Sequence, residues 1–317
     1  MSSKNGLKLL SYIEKGVKSK RLQIGYVANE KKNMILPLKL TVDESKLRGD
    51  GFGRRGGLID LIDNPKEMKN ILKQIKEFKT NKHQEELVPI SKVNQIPIIP
   101  RRNLICIGKN YLDHVKEVAK VVGLSSDAPK YPIFFTKVPE TIVGPNKSVE
   151  SHSDITSWLD YEAELAVVIG KEGKNIKPED ALKFVFGYTV ANDITSRDIQ
   201  KKHVQWFKGK TLDTTCPMAA AVLLHGKGFD PQNLCIKLWL NGELKQSSTT
   251  ANMIFNIATI ISELSKGFTL KPGDIILTGT PDGVRFPQQI ALKTGDKMEI
   301  EIEKVGSLVN YIKLYIR

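Results

Sequence analysis

Short apolar runs bounded by turn residues dominate the chain beyond residue 100, a pattern typical of β-strands. These runs include NLICIG, PIFFTKV, YEAELAVVIG, FVFGYTVAN, LCIKLWL, DIILTG and KMEIEIEKV. The dipeptide Asn241-Gly242 separates two of them and is the strongest short-range indication of a β-hairpin. Near the N-terminus, an apolar run containing Leu9 and Tyr12 leads through a polar segment into RLQIGYVA, which predicts strand–turn–strand.

Helical periodicity is confined to a few segments. Apolar residues recur at helical spacing in residues 64–79, where Asn64 can cap the helix and Pro65 suits its first position. A second helix is predicted in residues 252–267, with Gly267 as its stop. Because strands do not alternate regularly with helices, a Rossmann-type sheet is not expected. The pattern predicts a mixed, β-dominated α+β fold.

A stretch with three prolines and little periodicity, TNKHQEELVPISKVNQIPIIP, follows the first helix. It predicts a domain boundary near residue 95, with a small N-terminal α+β domain over residues 1–95 and a larger domain over residues 96–317. No apolar run approaches the roughly 18 residues that cross a bilayer, so no membrane partner is expected. The N-terminal segment also lacks the apolar core of a secretory signal.

Composition and charge exclude several classes. Hydrophobic residues make up 40% and charged residues 26% of 317, as in ordinary globular proteins. Three cysteines without a CxxC pair exclude a disulfide framework and predict a reducing compartment, the cytoplasm or the mitochondrial matrix of a eukaryote. The net charge of +13 would suit a nucleic-acid-binding protein, but the lysines are scattered and lack interleaved aromatics. We therefore expect no nucleic-acid partner.

The candidate chemistry lies in three carboxylates. Glu162 and Glu164 share one face of a predicted strand, since side chains alternate with period two. A solvated strand face is one interpretation, but the strand continues as the fully apolar AVVIG, which favours burial and therefore pairing or metal binding. Asp193 follows a neighbouring apolar strand and could instead cap a helix. Together the three form an all-oxygen set suited to Mg²⁺, Mn²⁺ or Ca²⁺.

Other polar residues are weaker candidates. His114 and Glu117 are neighbours at helical spacing, either as a surface pair or as a base oriented by a carboxylate. Lys137 and Lys210 stand in motifs where a lysine could bind an anionic substrate, although surface lysines are the common alternative. Thr280 lies in TGTPDG, a tight turn whose N–H groups and hydroxyl could hold a carboxylate.

An ordered set of these segments resembles the fumarylacetoacetate hydrolase family. Within that family, it is most similar to the proteins called fumarylacetoacetate hydrolase domain-containing proteins. The segments are NLICIGKNYLDHVKE, PIFFTKVPETIVGP, DYEAELAVVIGKEGKNI, GYTVANDITSRDIQ, WFKGKTLDTTCP, NGELKQ and PGDIILTGTPDGV. They span about residues 102–316 in the family's order. The resemblance implies a mixed β-roll fold, a homodimer, and one divalent cation per subunit, Mg²⁺ or Mn²⁺, with Ca²⁺ possible in crystals.

The resemblance also assigns site residues. The metal ligands of the family match Glu162, Glu164 and Asp193, and its catalytic residues match His114, Glu117 and Lys210. The residues matching its substrate-binding motifs are Thr280, Lys137, Arg197 and Gln200.

The implied function is that of a metal-dependent enzyme acting on a small enolisable 2-oxo acid. The reaction that we expect first is hydrolysis of a C–C bond in an acylpyruvate- or fumarylacetoacetate-type substrate. In this reaction His114 and Glu117 would activate the attacking water, and Lys210 and Thr280 would hold the distal oxygen of the substrate. The same residues could tautomerise or decarboxylate oxaloacetate, because all three reactions share an enolate. The alternative of another class is a non-catalytic basic binding protein on the same fold.

Overall fold

The computed structural model describes residues 6–16, 22–41, 56–81, 84–123, 125–226, 228–288 and 290–314. The strands in this part of the chain are β1 (Lys8–Glu14), β2 (Gln23–Asn29), β3 (Met34–Leu38), β4 (Val88–Pro89), β5 (Val93–Ile96), β6 (Leu104–Gly108), β7 (Ile133–Lys137), β8 (Ile142–Val143), β9 (Ser148–Glu150), β10 (Leu159–Asp160), β11 (Ala163–Ile169), β12 (Val185–Asn192), β13 (Thr195–Ser196), β14 (Cys216–Pro217), β15 (Ala221–Leu224), β16 (Cys235–Leu240), β17 (Glu243–Thr249), β18 (Ile275–Leu277), β19 (Lys297–Ile302) and β20 (Gly306–Lys313). The α-helices are α1 (Leu58–Ile62), α2 (Pro65–Asn81), α3 (Leu112–Val122), α4 (Arg197–Lys202), α5 (Phe207–Lys210) and α6 (Ile257–Ser265).

The largest sheet crosses most of the molecule. Its strand order is β4-β3-β2-β1-β15-β12-β11-β18-β6-β7, and β5 pairs with β1 beside this path. The N-terminal strands are therefore hydrogen-bonded to the later ones, through the antiparallel pair of β1 with β15. This one sheet contains strands from both sides of residue 95. The division into two domains at that residue stays a prediction.

A second sheet of five strands, in the order β17-β16-β19-β20-β9, packs on the first. One apolar core contains residues of both sheets and of α6, including Val167, Val190, Leu238, Ile260 and Ile300. Pairs within the sheets are mostly antiparallel, but β18 with β6 and β20 with β9 are parallel. The mixed, β-dominated α+β fold expected from the sequence is confirmed.

Several local predictions are confirmed. The helix at residues 64–79 is α2, and the Asn64 side chain accepts the Glu67 N–H at 3.0 Å as a cap. The hairpin turn joins β16 to β17, with φ of 54° at Asn241 and 85° at Gly242. At the N-terminus β1 pairs with β2, although the turn at residues 17–21 lies outside the described residues. Among the described helices, none is long and apolar enough to span a membrane.

Candidate metal centre

The two central strands of the large sheet bring the acidic residues together. β11 and β12 are antiparallel neighbours with Ala163 opposite Asn192. This register places Glu162 and Glu164 beside Asp193, and the Asp193 N–H donates to the Glu162 carbonyl at 2.8 Å. One carboxylate oxygen from each of the three residues lies within 4.8 Å of the others. The structure thus assembles the three carboxylates that the sequence singles out, with all three side chains buried.

Glu164 faces the other two carboxylates and forms no ion pair among the described residues, although the nearby charge of Lys210 acts to lower its pKa. Burial raises its pKa well above 4.5, and the charges of Asp193 and Glu162 raise it further. The hydrogen bond it accepts comes from the Gly279 N–H at 2.6 Å. A buried carboxylate needs a compensating charge. The donor set of three carboxylates, with Glu164 lacking a cation, therefore fits a hard divalent cation.

Glu162 and Asp193 contact buried cations instead. The Lys210 ammonium lies 2.6 Å from both Glu162 Oε2 and Asp193 Oδ2, and Arg197 Nη1 lies 2.7 Å from Glu162 Oε1. Burial alone would raise the pKa of Glu162, but the charges of Lys210 and Arg197 outweigh it and lower the pKa to about 2. Lys210 therefore sits between two candidate metal ligands, where the sequence placed it against the substrate.

Lys137 differs from its expected place against the substrate. Its ammonium is fully buried beneath the carboxylates, 3.0 Å from Asp193 Oδ1, and donates to the main-chain carbonyls of Ile194 and Lys210. The apolar context of FFTKV gave no indication of this inward direction. Lys137 thus braces Asp193 and the end of α5 and does not line the cavity above them.

A cavity of about 310 Å³ opens over the carboxylates. Its walls include the predicted residues Glu162, Glu164, Arg197, Gln200, Lys210, His114 and Thr280. The sequence did not single out further basic residues of this wall, Lys109, Lys201 and His203. The cavity is therefore rich in positive charge around a buried acidic floor, as a small anionic ligand requires.

Helix α3 carries His114 to the cavity wall, and Glu117 anchors this helix. Both oxygens of Glu117 accept the Gly283 N–H, at 3.1 and 3.2 Å. The His114 Nδ1 lies 3.7 Å from Glu117 Oε2, and this buried nitrogen has no hydrogen-bond partner among the described residues. His114 and Glu117 are thus adjacent, but the Glu117 carboxylate is hydrogen-bonded to the turn after β18.

The turn after β18 supplies a hydroxyl and a main-chain donor. Thr280 lines the cavity, and its Oγ1 accepts a hydrogen bond from Gln246 Nε2 at 2.9 Å. Its own hydroxyl proton is therefore available for a ligand. The N–H groups of this turn were expected to hold a carboxylate of the substrate; that of Gly279 instead binds the Glu164 carboxylate of the protein itself.

One family model matches most of the chain. The family model described as fumarylacetoacetate (FAA) hydrolase C-terminal matches residues 103–313. The chain therefore belongs to the fumarylacetoacetate hydrolase family, as the sequence motifs indicated.

Individual members of the family and solved structures are also similar to this chain. The oxaloacetate tautomerase YisK of Bacillus subtilis is 52% identical over 216 residues, which are 67% of this chain and 70% of that protein. Among solved structures, a fumarylacetoacetate hydrolase from psychrophilic Exiguobacterium antarcticum is 34% identical with a TM-score of 0.75, covering 98% of this chain and 100% of the other. Fumarylpyruvate hydrolase from Pseudomonas aeruginosa, in complex with Mn²⁺ and pyruvate, is 31% identical with a TM-score of 0.60, covering 70% and 92%.

Proposed function

We propose that this protein is a divalent-metal-dependent tautomerase that interconverts the keto and enol forms of oxaloacetate or a closely similar 2-oxo dicarboxylate. The observation that carries the proposal is the buried Glu162–Glu164–Asp193 cluster at the floor of a cationic cavity. The 52% identity to an oxaloacetate tautomerase supports this reaction over the hydrolysis expected first from the motifs. The Mn²⁺ in the fumarylpyruvate hydrolase complex supports a divalent cation at the same cluster.

The cavity provides for the charges of such a substrate. The chemistry supplied by a divalent cation at the three carboxylates is Lewis-acid stabilisation of negative charge on an enolate oxygen. Lys210 and Arg197 place positive charge beside it, and the Thr280 hydroxyl can donate to a substrate oxygen. Lys109 and Lys201 on the wall suit the second carboxylate of a dicarboxylic acid.

His114 is the proposed proton carrier. Tautomerisation moves a proton between C3 and the C2 oxygen and needs a side chain that can accept and return it. His114 lines the cavity, and its Nδ1 is not engaged by Glu117. The ring nitrogens of a histidine can both accept and donate a proton, which suits transfer in both directions.

The test is the decay of the enol absorbance of oxaloacetate with the full chain and Mg²⁺ or Mn²⁺. Wild-type protein should accelerate the decay, and His114→Asn should lose about 10²–10⁴-fold of that acceleration. His225→Asn is the matched control, because His225 hydrogen-bonds to Tyr188 away from the cavity. Metal-loaded wild-type protein that leaves the enol decay at its spontaneous rate would contradict the proposal.

Hydrolysis of an acylpyruvate is the second candidate. The observation behind it is that His114 and Glu117 are adjacent on α3: their separation of 3.7 Å exceeds a hydrogen bond, but catalytic hydrogen bonds are often long without substrate and shorten when it binds. In a hydrolase, the carboxylate orients the imidazole that deprotonates water. Glu117→Gln should then nearly abolish acylpyruvate cleavage and leave metal affinity intact. Cleavage within about threefold of wild type would exclude the water-activating pair, since such a base contributes about 10²–10⁴-fold.

A further inference from the structure

Asp160 stands outside the predicted site, yet its buried carboxylate touches the site's arginine. The short ladder of β10 with β13 pairs Asp160 with Thr195 and brings it beside Arg197. Asp160 Oδ2 accepts the Arg197 Nε–H at 3.0 Å, and Arg197 Nη2 lies 2.9 Å from the same oxygen. Asp160 is fully buried, and Arg197 is nearly so.

The arginine has a second carboxylate partner. Its Nη1 lies 2.7 Å from Oε1 of Glu162, a proposed metal ligand. An unrestrained guanidinium prefers to bind one carboxylate with two parallel hydrogen bonds. Because Asp160 occupies the Nε and Nη2 edge, only Nη1 is directed at Glu162. The packing of the guanidinium against Phe286, 5.5 Å from the ring centroid, fixes its plane.

Asp160 is itself held in place from the other side. Its Oδ1 accepts the N–H groups of Tyr161 and Arg285, both at 2.9 Å. Arg285 belongs to the segment after β18 that also carries Gly283, whose N–H binds Glu117 of α3. The Asp160 carboxylate therefore links the segment after β18 to Arg197 at the cavity.

The charge balance points the same way. Four buried carboxylates, Asp160, Glu162, Glu164 and Asp193, surround three buried permanent cations, Lys137, Arg197 and Lys210. When a divalent ion is bound and all four carboxylates are ionised, these protein groups carry one negative charge in excess, and loss of the Asp160 charge would remove it.

We propose that Asp160 is a positioning residue for the metal centre, acting through Arg197 to hold Glu162 in its ligating orientation. This inference rests on the proposed function, since it concerns the same metal site. Partners that orient a metal ligand typically contribute about 10–100-fold to metal affinity. The geometry assigns Asp160 that contribution although it touches neither metal nor substrate.

The experiment is calorimetric titration of Mn²⁺ into the EDTA-treated full chain. Asp160→Asn keeps the size of the side chain and should weaken Mn²⁺ binding about 10–100-fold. The matched control is Asp274→Asn, which alters another buried aspartate paired with an arginine, the partly exposed Arg102, at the other end of β18 from Thr280. This control should bind Mn²⁺ like wild type, whatever its thermal stability.

A second variant keeps the test decisive if Asp160→Asn fails to fold. Arg197→Lys retains the charge, but one ammonium cannot replace the fork that spans both carboxylates, so it should also weaken binding at least tenfold. The two effects should be less than additive when combined, because both act through one contact chain. If Asp160→Asn or Arg197→Lys binds Mn²⁺ within twofold of wild type, or if Asp274→Asn weakens Mn²⁺ binding equally, the role of Asp160 is overturned and the proposed function is not. Wild-type protein that binds no Mn²⁺ would overturn the proposed function as well.

Discussion

Replacement of Glu164 by Gln has two effects that can be measured separately: it removes a charge that destabilises the metal-free fold, and it removes a candidate metal ligand. The side chain is buried, faces Asp193 and Glu162, and accepts the Gly279 N–H. Gln keeps the volume and an acceptor oxygen for that N–H but removes the charge. Since burial and the neighbouring carboxylates disfavour the ionised form, metal-free Glu164→Gln should unfold at a higher temperature than metal-free wild type.

Metal should reverse this order. A cation at 100 times its Kd stabilises the folded state by about 2.7 kcal/mol. With about 2.1 cal/mol/K of unfolding entropy per residue, a chain of 317 residues gains roughly 1.5 °C in Tm per kcal/mol, so wild type should gain about 4 °C. Glu164→Gln loses one of three charged ligands and should gain almost nothing at the same metal concentration.

Differential scanning calorimetry of EDTA-treated protein, with and without Mn²⁺, measures both effects. Asp274→Asn serves as control, because it changes a buried carboxylate paired with Arg102 and should keep the full metal-dependent gain. If Glu164→Gln keeps the wild-type gain with Mn²⁺, the metal does not depend on Glu164. If metal-free Glu164→Gln is less stable than metal-free wild type, the electrostatic argument is wrong.

Three further predictions follow from the same contacts. Lys137→Met should lower the free energy of unfolding by about 3–5 kcal/mol in urea titrations, because it leaves the buried Oδ1 of Asp193 without its cation and two main-chain carbonyls without their donor, while Lys210 still contacts Oδ2; a loss below about 1 kcal/mol would contradict a bracing role. Gly283→Ala should reduce activity at least tenfold, because φ is 92° and the new Cβ would lie 2.0 Å from the Lys245 carbonyl oxygen, whereas Gly226→Ala meets open space and should be silent. Binding to DNA or RNA should be weak, in the range of about 10⁻⁴–10⁻⁶ M at physiological salt, and a nanomolar complex by fluorescence anisotropy would favour a binding protein.

The local elements and the acidic cluster were accessible from the sequence. Helix α2 and the hairpin of β16 and β17 follow from periodicity, Pro65 and Asn241-Gly242. Period two put Glu162 and Glu164 on one face, and the apolar continuation of their strand indicated burial. Adding Asp193 required only that two apolar strands be neighbours, which the register of β11 with β12 bears out.

The long-range pairings were not accessible in the same way. Nothing in the local pattern of β1 indicates that Leu9 pairs with Val222 and so joins the N-terminal strands to the large sheet. Strand pairing across such a separation depends on the shape of the whole core, whereas periodicity reports only the faces of one element.

The direction of long charged side chains also escaped prediction. Lys137 was expected to contact substrate, but its buried ammonium lies against Asp193 outside the cavity lining. Lys210 lines the cavity while its ammonium contacts Glu162 and Asp193, and its contact with substrate stays a prediction. A buried lysine is rare unless paired, and its partner is visible only in three dimensions. Asp160 was missed for the same reason, although its place two residues before Glu162 is a hint that a carboxylate in this motif could be structural.

The central claim is that Glu162, Glu164 and Asp193 form one metal centre at the floor of the cavity. Anomalous diffraction from crystals soaked in Mn²⁺ tests it most directly. We predict one strong peak per chain, within about 2.5 Å of one oxygen from each of the three carboxylates. A peak at another group of residues, or none at the cluster while Lys210 stays between Glu162 and Asp193, would contradict the account.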